Sequence, residues 1–206
     1  GMYIGGDEHV IRSNIVRDAY GHGIHMYSVP NLPDNNLIER NLCYNNGRGD
    51  YNRRSGPKPL GDGIIVYNGN QNTIRNNIVY GNIGWGIMVH TSNAEVHNNT
   101  IYDNGEHGLY LLDDANIVAR NNISYSNNVA DVYVGSSSIV SHNLFNQNPQ
   151  FVNVAEGNFK LSPDSPAIDA GTSIRDFNSD FYNRSRPQGN GCDIRAIEFV
   201  DDEENL

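Results

Sequence analysis

Basic side chains are scarce in this chain: Lys and Arg number 14 of 206 residues against 24 Asp and Glu, a formal charge of −10. Nucleic acid and anionic membrane surfaces are held by basic faces that displace counterions, so this balance argues against both as partners. It also disfavours a polyanionic ligand unless a local basic patch or a metal ion offsets the field. Cysteine is nearly absent. Cys43 and Cys192 lie far apart in no metal-like spacing, which argues against a disulfide framework or a thiolate zinc site and leaves both as packing residues. No apolar run is long enough to cross a bilayer, and the opening Gly1-Met2-Tyr3-Ile4-Gly5 has neither a basic nor an apolar leader region. An export signal removed from that end is equally compatible, so the N-terminus leaves localisation open. At this length, with 37% hydrophobic residues, one core suffices, and a single domain over 1–206 is expected, monomeric by default.

What the chain has in excess is asparagine, 32 residues against 21 glycines. Much of it recurs in a motif: Asn-Asn-Ile-Val-Tyr-Gly-Asn at 76–82, Asn-Asn-Thr-Ile-Tyr-Asp-Asn at 98–104 and Asn-Asn-Ile-Ser-Tyr-Ser-Asn at 121–127. Extending it outward places a key Asn at 14, 41, 77, 99, 122 and 143, in steps of 27, 36, 22, 23 and 21 residues. A step near 22 fits one rung of a parallel β-helix with three short strands per coil, and the longer steps are the same rung with loops inserted. The key Asn is expected to stack at a turn, its amide bonding the local backbone and the Asn one coil along. The acceptor-like tripeptides at Asn98, Asn122 and Asn183 carry little weight as glycosylation sites, since two of them are the repeat itself.

A second strand recurs as Gly23-Ile24-His25-Met26, Gly63-Ile64-Ile65-Val66, Gly86-Ile87-Met88-Val89, Gly108-Leu109-Tyr110-Leu111 and Asp131-Val132-Tyr133-Val134. Alternation turns Ile24, Ile64, Ile87, Leu109 and Val132 into one interior row, and Met26, Val66, Val89, Leu111 and Val134 into another. The glycine ahead of each strand is expected to serve a turn that Cβ-bearing residues resist. Asp131 replaces it once, where Asp tolerates the left-handed region better than most.

Residues 9 to 145 resemble the right-handed β-helix repeat proteins of the pectate-lyase-like superfamily. The tail sharpens the likeness with Asn158-Phe159-Lys160-Leu161-Ser162-Pro163-Asp164-Ser165-Pro166-Ala167-Ile168-Asp169-Ala170-Gly171, then Arg186-Pro187 and Gly191-Cys192-Asp193-Ile194-Arg195-Ala196-Ile197-Glu198. This is similar to the closing segment of bacterial secreted β-helix proteins, many of them relatives of polysaccharide lyases, although the family usually has Gly where this chain has Arg195. The resemblance implies an all-β fold, a right-handed parallel β-helix of about six coils over 9–147 with a C-terminal cap over 148–206. Asp169, Arg186, Asp193 and Glu198 are expected to tie that cap over the last coil. The resemblance further implies an extracellular or cell-surface bacterial protein whose partner is a polysaccharide.

Because this scaffold hosts lyases, hydrolases, epimerases and binding proteins, function rests on the outward positions. The outward row is His25, Ile65, Met88, Tyr110 and Tyr133. The residues ahead of the turn are His22, Asp62, Trp85, His107 and Ala130, and those after the strand are Tyr27, Tyr67, His90 and Leu112. Coils about 4.8 Å apart would gather these into one strip suited to sugar rings. The longest insertion, 47–60, carries Arg48, Arg53, Arg54 and Lys58, four of the fourteen basic residues, and suits carboxylate or sulfate recognition. A shorter insertion at 28–34 is expected at the matching position one coil earlier, the two together walling a groove.

β-Elimination of a uronic-acid polymer requires neutralising the carboxylate, removing the C5 proton and protonating the leaving oxygen. The candidates are Arg53, Arg54 or Lys58 for the first, His25, His22 or His107 for the second, and Tyr27 or Tyr110 for the third. Asp62, Trp85, His90, Tyr67 and Tyr133 are candidates for substrate binding. A surface histidine or an exposed loop would be the plain reading of each alone, and only their coincidence raises the functional one. A hydrolase would need two facing carboxyl groups, and Asp62, Asp50, Asp18 and Asp113 form no evident pair. No carboxylate cluster for calcium is visible, so no metal ligand is named, and Ca2+ stays an open alternative. A non-catalytic carbohydrate-binding or structural β-helix is the remaining class.

Overall fold

A computed structural model describes residues 1–48, 61–112 and 115–200. The backbone winds through six coils, each laying down three short strands that pair in parallel with their counterparts one coil away. The first sheet holds β1 (Met2–Ile4), β4 (Ile24–Met26), β7 (Ile64–Asn70), β10 (Ile87–Ser92), β13 (His107–Leu111) and β16 (Ala130–Val134). The second holds β2 (Val10–Arg12), β5 (Leu37–Glu39), β8 (Thr73–Arg75), β11 (Glu95–His97), β14 (Val118–Arg120) and β17 (Ile139–Ser141). The third holds β3 (Ile15–Arg17), β6 (Leu42–Tyr44), β9 (Ile78–Tyr80), β12 (Thr100–Tyr102), β15 (Ile123–Tyr125) and β18 (Leu144–Phe145). An antiparallel hairpin, β19 (Phe151–Asn153) and β20 (Asn158–Leu161), follows.

Both interior rows of the first sheet stand as the alternation places them as far as the fifth coil; on the last coil Val132 is only partly buried and Val134 is exposed. Ile24 pairs with Ile64, Ile64 with Ile87, Ile87 with Leu109 and Leu109 with Val132, and Met2 and Ile4 extend the rows into the first coil. The central members are fully buried, each contributing about 1.5–3 kcal/mol of transfer free energy. Ile38, Ile74 and Val96 face them from the second sheet, and Cys43, Val79 and Ile101 from the third. Cys43 is thus a core residue whose thiol burial pushes well above its ordinary pKa.

The corners explain the paired asparagines. The first Asn of each pair, Asn76, Asn98 and Asn121, sits in the left-handed region at φ between 52 and 58°, where a short polar side chain is tolerated better than most. The next residue turns its side chain inward. Asn41, Asn77, Asn99 and Asn122 form a buried ladder in which each amide oxygen accepts from the backbone N–H and the amide of the Asn one coil earlier. The last Asn of the motif builds a second ladder at the next corner, Asn46, Asn82, Asn104 and Asn127, with Nδ2 to Oδ1 distances of 2.9 Å.

That second ladder corrects the reading of the glycines. Gly23, Gly63, Gly86 and Gly108 are not among the residues with positive φ, so no left-handed turn demands them. They are glycines because of close approach: a Cβ on Gly86 would lie 2.6 Å from the Gly108 carbonyl oxygen and 2.8 Å from Asn104 Nδ2. Asp131 is likewise absent from the positive-φ residues, and it uses the inward direction rather than avoiding it. Its Oδ1 accepts from the Asn127 backbone N–H and amide at 2.9 Å each, and its Oδ2 from the Asn146 N–H at 3.0 Å. An acceptor-only carboxylate thereby ends the second ladder.

The tail also departs from expectation. Its tying residues are present: Arg186 pairs with Glu198, Asp193 Oδ1 accepts from the Asp169 N–H at 2.9 Å, and Asp169 Oδ1 accepts from the Gly191 N–H at 2.9 Å. The segment they hold packs Leu161, Ala167 and Ile194 against Leu144 of the last coil and from there runs back along the flank of the solenoid. Phe159, Ala196 and Ile197 pack on Ile78, Tyr80 and Tyr102 of the third sheet, while Asn98 donates to the carbonyls of Asp193 and Arg195, and Arg40 to Asn183 in the second coil. Outward-facing Ile78 and Ile123 need such a cover. Arg195 is fully buried and donates to the Phe159 carbonyl at 3.1 Å, and burial lowers its pKa to about 10. Val134, on the last coil, is left 41% exposed.

Candidate active site

The first sheet turns one face outward, and register fixes its file as Tyr3, His25, Ile65, Met88, Tyr110 and Tyr133. The candidate residues divide along this file into two groups. In the second and third coils, His22 and Asp62 hold the same place in successive rungs, each preceding its glycine, so the winding brings them together. His22 Nδ1 lies 2.8 Å from Asp62 Oδ2, while Asp62 Oδ1 accepts from the Trp85 backbone N–H at 2.8 Å. Asp62 is 1% exposed. A contact this short to a carboxylate needs the proton on Nδ1, which leaves Nε2 directed away from Asp62. The His25 ring packs edge-on to His22 at 4.8 Å. Burial first, then the charge of His22, lower the His25 pKa, opposed in part by Asp62. A neutral imidazole at pH 7 follows.

From His25 the rings continue to Tyr27 at 6.0 Å, from Tyr27 to Tyr67 at 5.7 Å and from Tyr67 to His90 at 4.2 Å. Burial lowers the His90 pKa as well. Tyr3, which sequence reasoning passed over, packs edge-on against His25 at 4.9 Å and is 66% exposed. Extending the register one rung towards the N-terminus would have found it.

The second group lies in coils four to six. Tyr110 and Tyr133 stack at 4.6 Å, Trp85 tilts against Tyr110 at 5.5 Å, and His107 meets both tyrosines edge-on. Tyr110 stands three rungs from His25, about 14 Å at ordinary strand spacing. It belongs with His107, and Tyr27 with His25. Similar stacks serve structure elsewhere, since Tyr44 and Tyr80 lie at 5.0 Å on the third sheet.

The two insertions are not equivalent. Residues 28–34 follow β4 and lead to the second sheet, whereas 47–60 join β6 to β7, so they attach at opposite edges of the first sheet. Arg53, Arg54, Lys58 and Asp50 lie outside the described residues, as does Asp113. Arg48 is described, and its Nε lies 3.1 Å from Asp18 Oδ1. Asp62 and Asp18 are therefore both engaged with basic partners. Among the described residues no three of His, Cys, Asp and Glu converge as metal ligands. The Asn98 and Asn122 tripeptides are buried corner residues, which removes them as glycosylation acceptors.

At the opposite end of the aromatic path lies a cleft of about 440 Å³ lined by Leu32, Asn68, Gly69, His90, Thr91, Ser92 and Ala115. Of these, sequence reasoning named His90 as a binding candidate and Leu32 within the 28–34 insertion.

A sequence model of the family described as right handed beta helix region matches residues 1–160. The chain belongs to this β-helix family. Among solved structures, this β-helix is similar to that titled crystal structure of pectate lyase Pel9A, with a TM-score of 0.62 and 19% sequence identity over 94% of this chain. The match spans 53% of the other protein, so this chain corresponds to about half its length. No curated protein matches. At this identity the likeness is one of fold, and the activity has to be argued from the site. Among the described residues no helix is long and apolar enough to cross a membrane.

Proposed function

We propose that this β-helix protein acts on a polysaccharide outside a bacterial cell, as a lyase that cleaves uronic-acid-containing chains by β-elimination. The observation that carries the reading is the His22–Asp62 pair set against neutral His25 on an aromatic outer face. His25 takes the C5 proton, the electron pair forms the C4–C5 double bond, the C4–O4 bond breaks, and the departing oxygen takes the Tyr27 proton. His22, oriented by Asp62, is the alternative base. Arg53, Arg54 or Lys58 neutralises the sugar carboxylate. His107 and Tyr110 form a second possible acid–base set, with Trp85 and Tyr133 beside them as sugar contacts.

The test is incubation with uronate and neutral polysaccharides, with and without calcium, following ultraviolet absorbance of unsaturated products and reducing ends. Rising absorbance that His25→Ala reduces by 100-fold or more supports the proposal. Reducing ends without absorbance favour a hydrolase. Binding with neither signal overturns both enzyme readings in favour of a carbohydrate-binding module.

A further inference from the structure

Coil-to-coil register is kept throughout the described strands of the solenoid except at one place. Among the described pairings of its three sheets, only that of β7 with β10 shifts register: His90 pairs with Tyr67, but Ser92 pairs with Asn70, so β7 carries one extra residue. That residue is accommodated by Asn68 and Gly69 in the left-handed region, at φ of 67 and 83°. A bulge of this kind re-aims side chains, and here it opens the wall of the 440 Å³ cleft, both residues lining it. Gly69 is required twice over, since the insertion at 28–34 presses the Pro33 carbonyl onto it. Leu32 of that insertion closes one side, and Asn72 Nδ2 donates to the Pro33 carbonyl at 2.7 Å. The break in the repeat is thus braced from two sides.

Among the described residues that line it, none carries a formal charge: one amide, two hydroxyls, one imidazole and two apolar side chains. Burial keeps His90 neutral, and its ring touches Tyr67 at the end of the path that starts at His25. The volume lies within the range of small-ligand sites. Such a surface matches a neutral, polyhydroxylated ring and offers nothing to neutralise a carboxylate.

We infer that the bulged cleft is a subsite for a neutral sugar unit, beside the acid–base site, so the substrate class is a heteropolysaccharide carrying neutral residues next to its uronates. This rests on the polysaccharide reading above. The test follows histidine side-chain resonances of the intact protein by NMR, with a neutral galacto-oligosaccharide and an oligogalacturonate as separate probes. The neutral probe should move His90 in preference to His25. Asn68→Gly, which removes the amide while keeping the backbone conformation, should weaken that binding about tenfold, as should Ser92→Phe. His25→Ala should leave it unchanged. If the uronate moves His22 and His25 while the neutral probe leaves His90 still, the subsite is overturned and the lyase proposal stands. Equal response of His90 to both probes overturns the neutral preference. Silence of every histidine with both probes overturns the subsite together with the polysaccharide reading.

Discussion

Replacing Asn99 by alanine tests whether the buried amide ladder holds the coils together. The Asn99 side chain makes five hydrogen bonds: Nδ2 donates to the carbonyls of Ile74 and His97 and to Asn122 Oδ1, and Oδ1 accepts from the Asn77 backbone N–H and amide, all at 2.9–3.1 Å. Two Nδ2 protons serve three acceptors, so the set counts as about four bonds at roughly 1 kcal/mol net each. The substitution should therefore cost about 4 kcal/mol, a large part of the ~5–15 kcal/mol by which domains are stable. At about 2–4 °C per kcal/mol for this chain length, the melting temperature should fall by about 8–16 °C. Asn14, on the first rung and only partly buried, donates to the Arg12 carbonyl and Asn41 but accepts nothing from a further Asn, so Asn14→Ala should cost about 1 kcal/mol. Asn99→Leu separates bonding from packing: it keeps the volume but orphans the Ile74 carbonyl and the Asn77 donors, and should cost nearly as much as alanine. Thermal and urea unfolding followed by circular dichroism reads all three. Equal losses for Asn14→Ala and Asn99→Ala, or a harmless Asn99→Leu, would refute the ladder argument.

Gly86→Ala forces a methyl towards the Gly108 carbonyl and Asn104 and should cost about 1–3 kcal/mol, whereas Gly21→Ala, with open space around it, should be near neutral in the same unfolding assay. If His25 is the base, the acidic limb of kcat/KM should fall below the ordinary histidine value of 6.5, since its pKa is lowered; a limb above that value would remove His25 from the role. Burial raises the Glu39 pKa, but the hydrogen bonds and charges of Arg75 and Arg12 outweigh it and hold the carboxyl below its ordinary 4.5. Its contribution is therefore full above that value and lost as pH falls through the lowered one, so Glu39→Gln should flatten the acid limb of stability against pH, measured by urea midpoints.

The rung length, the key asparagines and both interior rows were legible because each is written in sequence at a fixed period. Features that depend on two rungs meeting were harder. His22 and Asp62 were both placed on the strip, but in separate roles, although their shared position ahead of Gly23 and Gly63 already implied contact. The glycines were misread because a residue with no side chain does not say whether φ or crowding selects it; the Asn closing each motif, stacked beneath them, was the missing signal. The bulge at Asn68 and Gly69 left no trace in the spacing of the key asparagines, since the adjacent insertion hid one extra residue. The tail's course was illegible for another reason. Its apolar residues match the outward faces of Ile78 and Ile123, and nothing local to either segment records which coil the other meets.

That course changes how the molecule should unfold. A bare solenoid is a one-dimensional chain of neighbours, able to fray coil by coil from either end. Here Asn183 reaches Arg40, 143 residues away, and Arg186 reaches Asn76 across 110, so the returning segment stitches the second coil to the fourth and fifth. Loosening an inner coil must release the stitch as well, which merges local openings into one cooperative event. The aromatic face of the first sheet lies outside the stitched flank, free to vary in sequence without loosening what holds the coils together.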